Sequence, residues 1–364
     1  MNKLWFLAFF MLPLTGVAYS AWRTWNILPL PNTYKYIIVG LLILCFLLFF
    51  TNVNFFQTDR LPMPVATAFY EIGTSSLFIL LYMVMLYLLL DLGRAAHLVP
   101  HSFLYHSLKG TITVAVILIS VFTYGYFHYM DKQRVTLDMP TTKKLERPLK
   151  IVMASDLHIG YHNRVDELNR WVDLINRENP DLILIAGDII DGKIRPLQEQ
   201  NMAASFHRLK APVVACLGNH EYYAGVKGSF NFYKEAGIHL LCDTAINIKG
   251  INIIGRDDRT DPRRQSVKGL TASLDMNRYT ILLDHQPYHL EEAEQAGIDF
   301  QFSGHTHYGQ VWPASWITDA IYEDAFGPLQ KGHTQYYVSS GLGIWGGKFR
   351  IGTRSEYIVA TLHN

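Results

Sequence analysis

Between Ile151 and Gln310 stand five short groups of side chains that could do chemistry together. They are Asp156-Leu157-His158, Gly187-Asp188, Gly218-Asn219-His220-Glu221, Asp284-His285 and Gly304-His305-Thr306-His307. Carboxylate, amide and imidazole donors suit a hard divalent or trivalent cation better than a soft one. Asp156, His158, Asp188, Asn219, His285, His305 and His307 are enough ligands for two ions, particularly with Asp188 shared between them. Two ions roughly 3.5–4 Å apart can activate a hydroxide and clamp the oxygens of a phosphoryl group, so that chemistry needs no covalent nucleophile. His220, beside Asn219, is placed to protonate a leaving oxygen or to hold a phosphate oxygen. Each group alone is a weak signal. The order of all five is a specific one.

Each group follows a short apolar run: residues 149–154, 182–186, 213–217, 281–283 and 300–302. Runs of that length bounded by turn residues predict buried strands. Groups at the carboxyl ends of such strands emerge on one sheet edge, where open α/β folds place their sites. Val165, Leu168, Trp171, Val172 and Ile175 recur at helical spacing, and Asn179-Pro180 closes that segment. Strand and helix then alternate through Leu217, which predicts parallel pairing through crossover helices. Residues 238–241, 245–248, 251–255, 336–339 and 357–361 read as further strands, expected in a second, more antiparallel sheet.

With these groups in place, residues 149–362 resemble the calcineurin-like metallophosphoesterases. The family's ordered motif D-x-H, G-D-x-x-D, G-N-H-[DE], H, G-H-x-H is matched by Asp156/His158, Gly187–Asp191, Gly218–Glu221, His285 and Gly304–His307. The ending is similar to a bacterial membrane-associated branch: Gly304–Gln310, Ser339–Gly343 and Arg350–Glu356, with Tyr308 where that branch often has Gly. The resemblance implies Asp156, His158 and His307 on a first metal, Asp188 bridging, and Asn219, His285 and His305 on a second. It implies His220 as the catalytic acid, and two divalent or trivalent ions, with Mn, Zn or Fe expected. It also implies a four-layer α/β/β/α sandwich over residues 149–364. Asp191 reads either as a residue orienting a ligand or as a turn residue before Gly192. Arg256, Arg259, Arg263 and Arg264 read either as phosphate grips or as charges on a solvated loop.

The rest of the chain must position this domain. Four apolar stretches precede it, about residues 4–21, 36–56, 75–90 and 111–129, each near the ~20 residues that cross a bilayer. Trp22, Trp25, Tyr34, Tyr36, Tyr124 and Tyr126 crowd their ends, as at membrane interfaces. The first stretch reads equally as a signal peptide or as an uncleaved span. Lys132, Arg134, Lys143, Lys144, Arg147 and Lys150 follow the last span, so the catalytic domain is expected on the cytoplasmic face of the inner membrane. Residues 131–148 read as a polar juxtamembrane linker between a membrane region, 1–130, and the phosphoesterase domain, 149–364. His97, His101 and His106 fall between the last two spans and read as interfacial.

With 32 basic against 31 acidic side chains, nothing argues for a nucleic-acid partner. Three scattered cysteines, Cys45, Cys216 and Cys242, exclude a disulfide framework or a thiolate metal site. A transporter is disfavoured because the spans carry almost no interior charge, Glu71 excepted. The expected function is a membrane-anchored, dinuclear metal-dependent hydrolase of phosphodiester or pyrophosphate bonds, on substrates that a membrane anchor suggests are lipid-linked. The alternative is a non-catalytic metal-binding sensor or scaffold, which a full ligand set disfavours.

Overall fold

The computed structural model describes residues 11–50 and 60–364 in full, and residues 3–10 by their backbone. The chain forms two compact units, residues 1–127 with 346–348, and residues 128–345 with 349–364.

The first unit is helical: Lys3–Ile27, Asn32–Phe50, Met63–Ala95 and most of Leu108–Met130. Apolar residues surround these helices instead of forming one stripe, so Leu41, Leu44 and Leu47 stay exposed on Asn32–Phe50. That is the pattern of a helix solvated by lipid. Among the described residues, three helices are long and apolar enough to cross a membrane, Asn32–Phe50, Met63–Ala95 and Leu108–Met130, with mean hydropathies of 2.2, 2.1 and 1.7. The first expected span falls within Lys3–Ile27, but the side chains of its residues 4–10 lie outside the described residues, as do residues 51–56 of the second. Arg23 and Asp91 form an ion pair, and the Tyr19 hydroxyl donates to the same carboxylate. His101 stacks on Tyr105 at 4.0 Å, and His106 Nδ1 lies 3.4 Å from Lys35 Nζ.

The second unit has twelve strands among its described residues. In chain order they are β1 (Lys132–Pro140), β2 (Leu149–Ala154), β3 (Leu182–Ala186), β4 (Val213–Cys216), β5 (His239–Leu240) and β6 (Thr244–Ile248). Then come β7 (Ile251–Gly255), β8 (Thr280–Leu283), β9 (Phe300–Ser303), β10 (Gly327–Lys331), β11 (Thr334–Val338) and β12 (Ser355–His363). One sheet runs β1-β12-β2-β3-β4-β5 and the other β10-β11-β9-β8-β7-β6.

In the first sheet β2, β3, β4 and β5 are parallel neighbours, with Ala154 opposite Ile185 and Ala186 opposite Cys216. Three of the chemical groups therefore leave the sheet at one level. The helix Val165–Arg177 supplies a crossover, burying Leu168, Trp171, Val172 and Ile175 against Val152, Ile183 and Ala215. Alternate residues of the same strands, including Ile151, Leu184 and Val214, face Ile253, Ile281 and Phe302 of the other sheet. Beyond the second sheet, Val267, Leu270, Leu290 and Ala293 pack on Ile254 and Leu282. The layers are helix, sheet, sheet, helix.

Three expectations change. Residues 132–140 are not linker but strand β1, paired in parallel with β12 from Lys132↔Ser355 to Pro140↔His363. Val135, Leu137 and Met139 alternate there and pack on the core between the sheets, a period-two pattern beneath the polar composition. The segments at 238–241 and 357–361 belong to the first sheet, where β12 pairs antiparallel with β2. The second sheet is antiparallel only at its edges, β6–β7 and β10–β11; its three inner pairings are parallel.

Candidate metal centre

The five groups meet at the ends of the strands that precede them. Asp156, His158, Asp188, His305 and His307 all have left-handed backbones, with φ of 54°, 45°, 50°, 73° and 47°. Such a backbone costs about 1–2 kcal/mol per residue outside glycine, and Asp and His are among the residues that tolerate it. Sharp left-handed turns off the strand ends direct these side chains inward. The motif glycines have a steric task. A Cβ on Gly218 would collide with the Asp188 carboxylate, and one on Gly304 with that of Asp156.

Among the described residues three donor groups result, the third of which, His158 with Asp191 and His220, shares His158 with the first. In the first, His158 Nε2 and His307 Nε2 are 3.0 Å apart, with Asp156 Oδ1 3.8 and 3.5 Å from them. In the second, Asp188, His285 and His305 each offer an atom within 4.8 Å of the others. Asp188 Oδ2 lies 3.1 Å from His285 Nε2 and 3.7 Å from His158 Nε2, so one carboxylate reaches both clusters. The buried Asn219 Oδ1 has no hydrogen-bond partner, and His285 Nε2 faces the Asp188 carboxylate without a well-formed hydrogen bond. Buried polar atoms left without partners are rare and need an explanation. A cation here would satisfy them, and the residues present fit one.

The electrostatics agree. Burial alone would raise the Asp188 carboxyl, but His285, His220 and His158 outweigh it and hold it well below the usual range. Burial would likewise lower His285, yet Asp188 and Asp156 keep it well above the usual imidazole value. Without a metal, a proton on His285 balances the buried negative charge. His305 is pulled down to about 4 by burial and by neighbouring His285, so its ring is neutral at physiological pH, the form that could bind a cation.

Supporting contacts fix these rings. His285 Nδ1 lies 2.7 Å from the Ala186 carbonyl, which places its proton there and leaves Nε2 to coordinate. Asp191 Oδ1 is 3.3 Å from His158 Nδ1, so of the two readings of Asp191 the orienting one matches its position. The Asp191 carbonyl also accepts His220 Nδ1–H, leaving His220 Nε2 free to exchange a proton. The His220 ring stands 4.5 Å from that of His158.

Two residues with structural leverage went unassigned in the sequence reading. Glu221, fully buried, accepts the N–H groups of Gly218 at 2.7 Å, Ile190 at 2.9 Å and Asp188 at 3.1 Å. It ties the Asp188 loop to the Asn219 loop, while burial and the Asp188 charge push its carboxyl up to about 7. Its spacing from Gly218 is that of a carboxylate reaching back to cap a helix start, a signal the sequence did carry. Arg350, also fully buried, donates to the carbonyls of His307 (2.7 Å), Ser340 and Gly343. The Arg256–Arg264 loop matches neither earlier reading as a whole. Arg256 and Arg264 share Asp284, at 3.2 and 3.1 Å, while Arg263 is exposed and pairs with Asp261. Tyr308 stacks on Phe326 at 4.9 Å, and its hydroxyl is 3.4 Å from Asp319.

Comparison with known proteins shows the family to which these motifs belong. The calcineurin-like phosphoesterase profile matches residues 149–309. A metallophosphoesterase of Aquifex aeolicus is 30% identical over 258 residues, covering 68% of this chain and 97% of that protein. One from Helicobacter pylori J99 is 30% identical over 250 residues, 66% of each chain. A zebrafish transmembrane protein with a metallophosphoesterase domain is 29% identical over 271 residues, 69% of this chain and 62% of that one. The chain thus spans about two thirds of the Helicobacter and zebrafish proteins. Among solved structures, a 5'-nucleotidase precursor from Thermus thermophilus aligns at 16% identity and a TM-score of 0.36, over 59% of this chain and 55% of that one.

Proposed function

The chain belongs to the calcineurin-like phosphoesterase family, and from that premise we propose a membrane-anchored hydrolase of phosphodiester or pyrophosphate bonds in lipid-linked substrates. Membrane association accords with the three apolar helices and with the transmembrane relatives. The observation that carries the reading is the convergence of two donor clusters on one shared carboxylate, Asp188. In this proposal Asp156, His158 and His307 would hold one ion and Asn219, His285 and His305 the other, with Asp188 placed to serve both. Bound ions, of Mn, Zn or Fe type, supply the Lewis acidity that activates water and neutralises phosphoryl oxygens.

The protein's own part is orientation and proton delivery. Asp191 and the Ala186 carbonyl fix the coordinating nitrogens of His158 and His285. His220, anchored through Nδ1, delivers a proton from Nε2 to the leaving oxygen. The apolar helices of the first unit hold the enzyme at the inner membrane, with the second unit, β1 included, on the cytoplasmic face and carrying the chemistry.

The test is full-length protein in lipid nanodiscs, stripped with chelator and reloaded with Mn, Zn, Fe or Mg. A phosphomonoester, a phosphodiester and a lipid pyrophosphate are the substrates. Metal-dependent cleavage of the diester or pyrophosphate is expected. A protein that binds two ions and cleaves none of them would leave the sensor or scaffold reading in its place.

A further inference from the structure

Among the described residues, every large apolar side chain left exposed in the second unit belongs to one of two segments. One carries Tyr223, Val226 and Phe230, on the helices Asn219–Ala224 and Val226–Glu235. The other carries Trp312, Trp316, Ile317 and Ile321, on or just before the helix Ala314–Ile321; Trp316 and Ile317 are 64% and 63% exposed. Isolated apolar residues on a surface need no explanation, but their confinement to two groups does.

Both groups adjoin the same imidazoles. The Tyr223 ring is 5.1 Å from His220, which is 4.5 Å from His158, which is 4.9 Å from His307. On the other side of that chain of rings, the His307 turn presses on the apolar helix. A Cβ at Gly309 would collide with the backbone of Ala314 and Ser315.

We propose that these two segments form an apolar rim that docks on the bilayer interface and holds the metal centre at the level of the lipid headgroups. The inference deepens the function proposed above, on which only its substrate consequence rests. Lipid is the occupant for two reasons. The residue types are those of an interfacial element: Trp312 and Trp316, packed ring against ring at 5.3 Å, beside two isoleucines. The rim is also continuous with the end of a membrane-capable helix. His128, in the last turn of Leu108–Met130, lies in the same compact unit and lines a cleft of about 410 Å³ with Gln133, Tyr308, Phe326, Gly352 and Arg354. Gly352 in turn packs on Trp312, where an added Cβ would lie 3.1 Å from the tryptophan Cβ. A helix end held in the membrane keeps that surface near lipid at high effective concentration.

The test uses the full chain in nanodiscs, with Cys45, Cys216 and Cys242 replaced and an environment-sensitive fluorophore on Ile317→Cys, Phe230→Cys or, as reference, Asp173→Cys. Lipids carrying a shallow nitroxide should quench the labels at 317 and 230 about threefold more strongly than that at 173, because interfacial side chains sit about 5–10 Å into the headgroup boundary. Equal, weak quenching at all three sites with full access to aqueous iodide would overturn the proposal. So would a spectral change at 317 that needs two chains per disc, which would make the rim a contact between copies. Two labelled sites keep the test sound if one substitution disturbs folding. The quenching does not depend on turnover. Penetration without any phosphoester hydrolysis would support the docking surface and overturn the proposed activity alone.

Discussion

Glu221→Gln tests whether two ligand loops hang on one buried carboxylate. At pH 8 the carboxyl is ionised, and its oxygens serve three backbone N–H donors, from Gly218, Ile190 and Asp188. Glutamine keeps one oxygen and turns the other into an amide NH2, which donates and cannot accept. With the Gly218 and Asp188 bonds kept, the Ile190 N–H loses its acceptor in a fully buried site. A hydrogen bond to a charged group is worth about 1.5–3 kcal/mol, so the substitution should cost about 2 kcal/mol. Alanine strips all three donors and leaves a cavity, and should cost about 4–5 kcal/mol. For a unit of this size each kcal/mol lowers Tm by about 2–4 °C, so Glu221→Gln should unfold about 4–8 °C lower. The loosened Asp188 and Asn219 should weaken metal binding by about 10–100-fold, as for other residues that orient ligands. Thermal unfolding of the full chain, metal-free and metal-loaded, with a metal titration, measures both effects. A glutamine variant within about 1 °C of the parent, binding metal as tightly, would refute the clamp.

Asp188→Asn should leave the fold intact and remove most activity, because a neutral amide cannot serve two cations; near-normal turnover with two bound ions would exclude the bridge. His220→Ala should keep both ions yet slow substrates with poor leaving groups far more than an activated aryl phosphate, since a good leaving group needs little protonation. Equal losses on both substrates would remove it from the acid role. A chain starting at His128 keeps the fully buried Tyr129 and β1 and should fold as a soluble, metal-binding unit. One starting near Leu145 loses β1, bares the β12 edge and should aggregate, which size-exclusion chromatography would show. A reporter active only outside the membrane, fused after Asn364, should give no signal if the second unit is cytoplasmic.

The candidate donor groups could be picked out in the sequence because their chemistry is local: Asp156-Leu157-His158 and Gly304–His307 name their side chains within a few residues, and the structure brings them together. The strands before them were legible too, since an apolar run bounded by turns needs no knowledge of its partner. The apolar helices were read for the same reason. What the sequence left open depended on distant pairing. β1 looked like linker because its three alternating apolar residues make a stable strand only against β12, more than two hundred residues later. Arg256 and Arg264 looked like phosphate grips or loop charges until Asp284 was found between them. Arg350 finds its role through the His307, Ser340 and Gly343 carbonyls, backbone acceptors that no residue letter marks. The apolar rim was hidden for a related reason. No local pattern marks Trp316 and Ile317 as surface residues, and only the completed packing of the unit left them outside. Local periodicity and residue type determine elements and donors; which backbone atoms and faces meet is settled by packing across the whole chain.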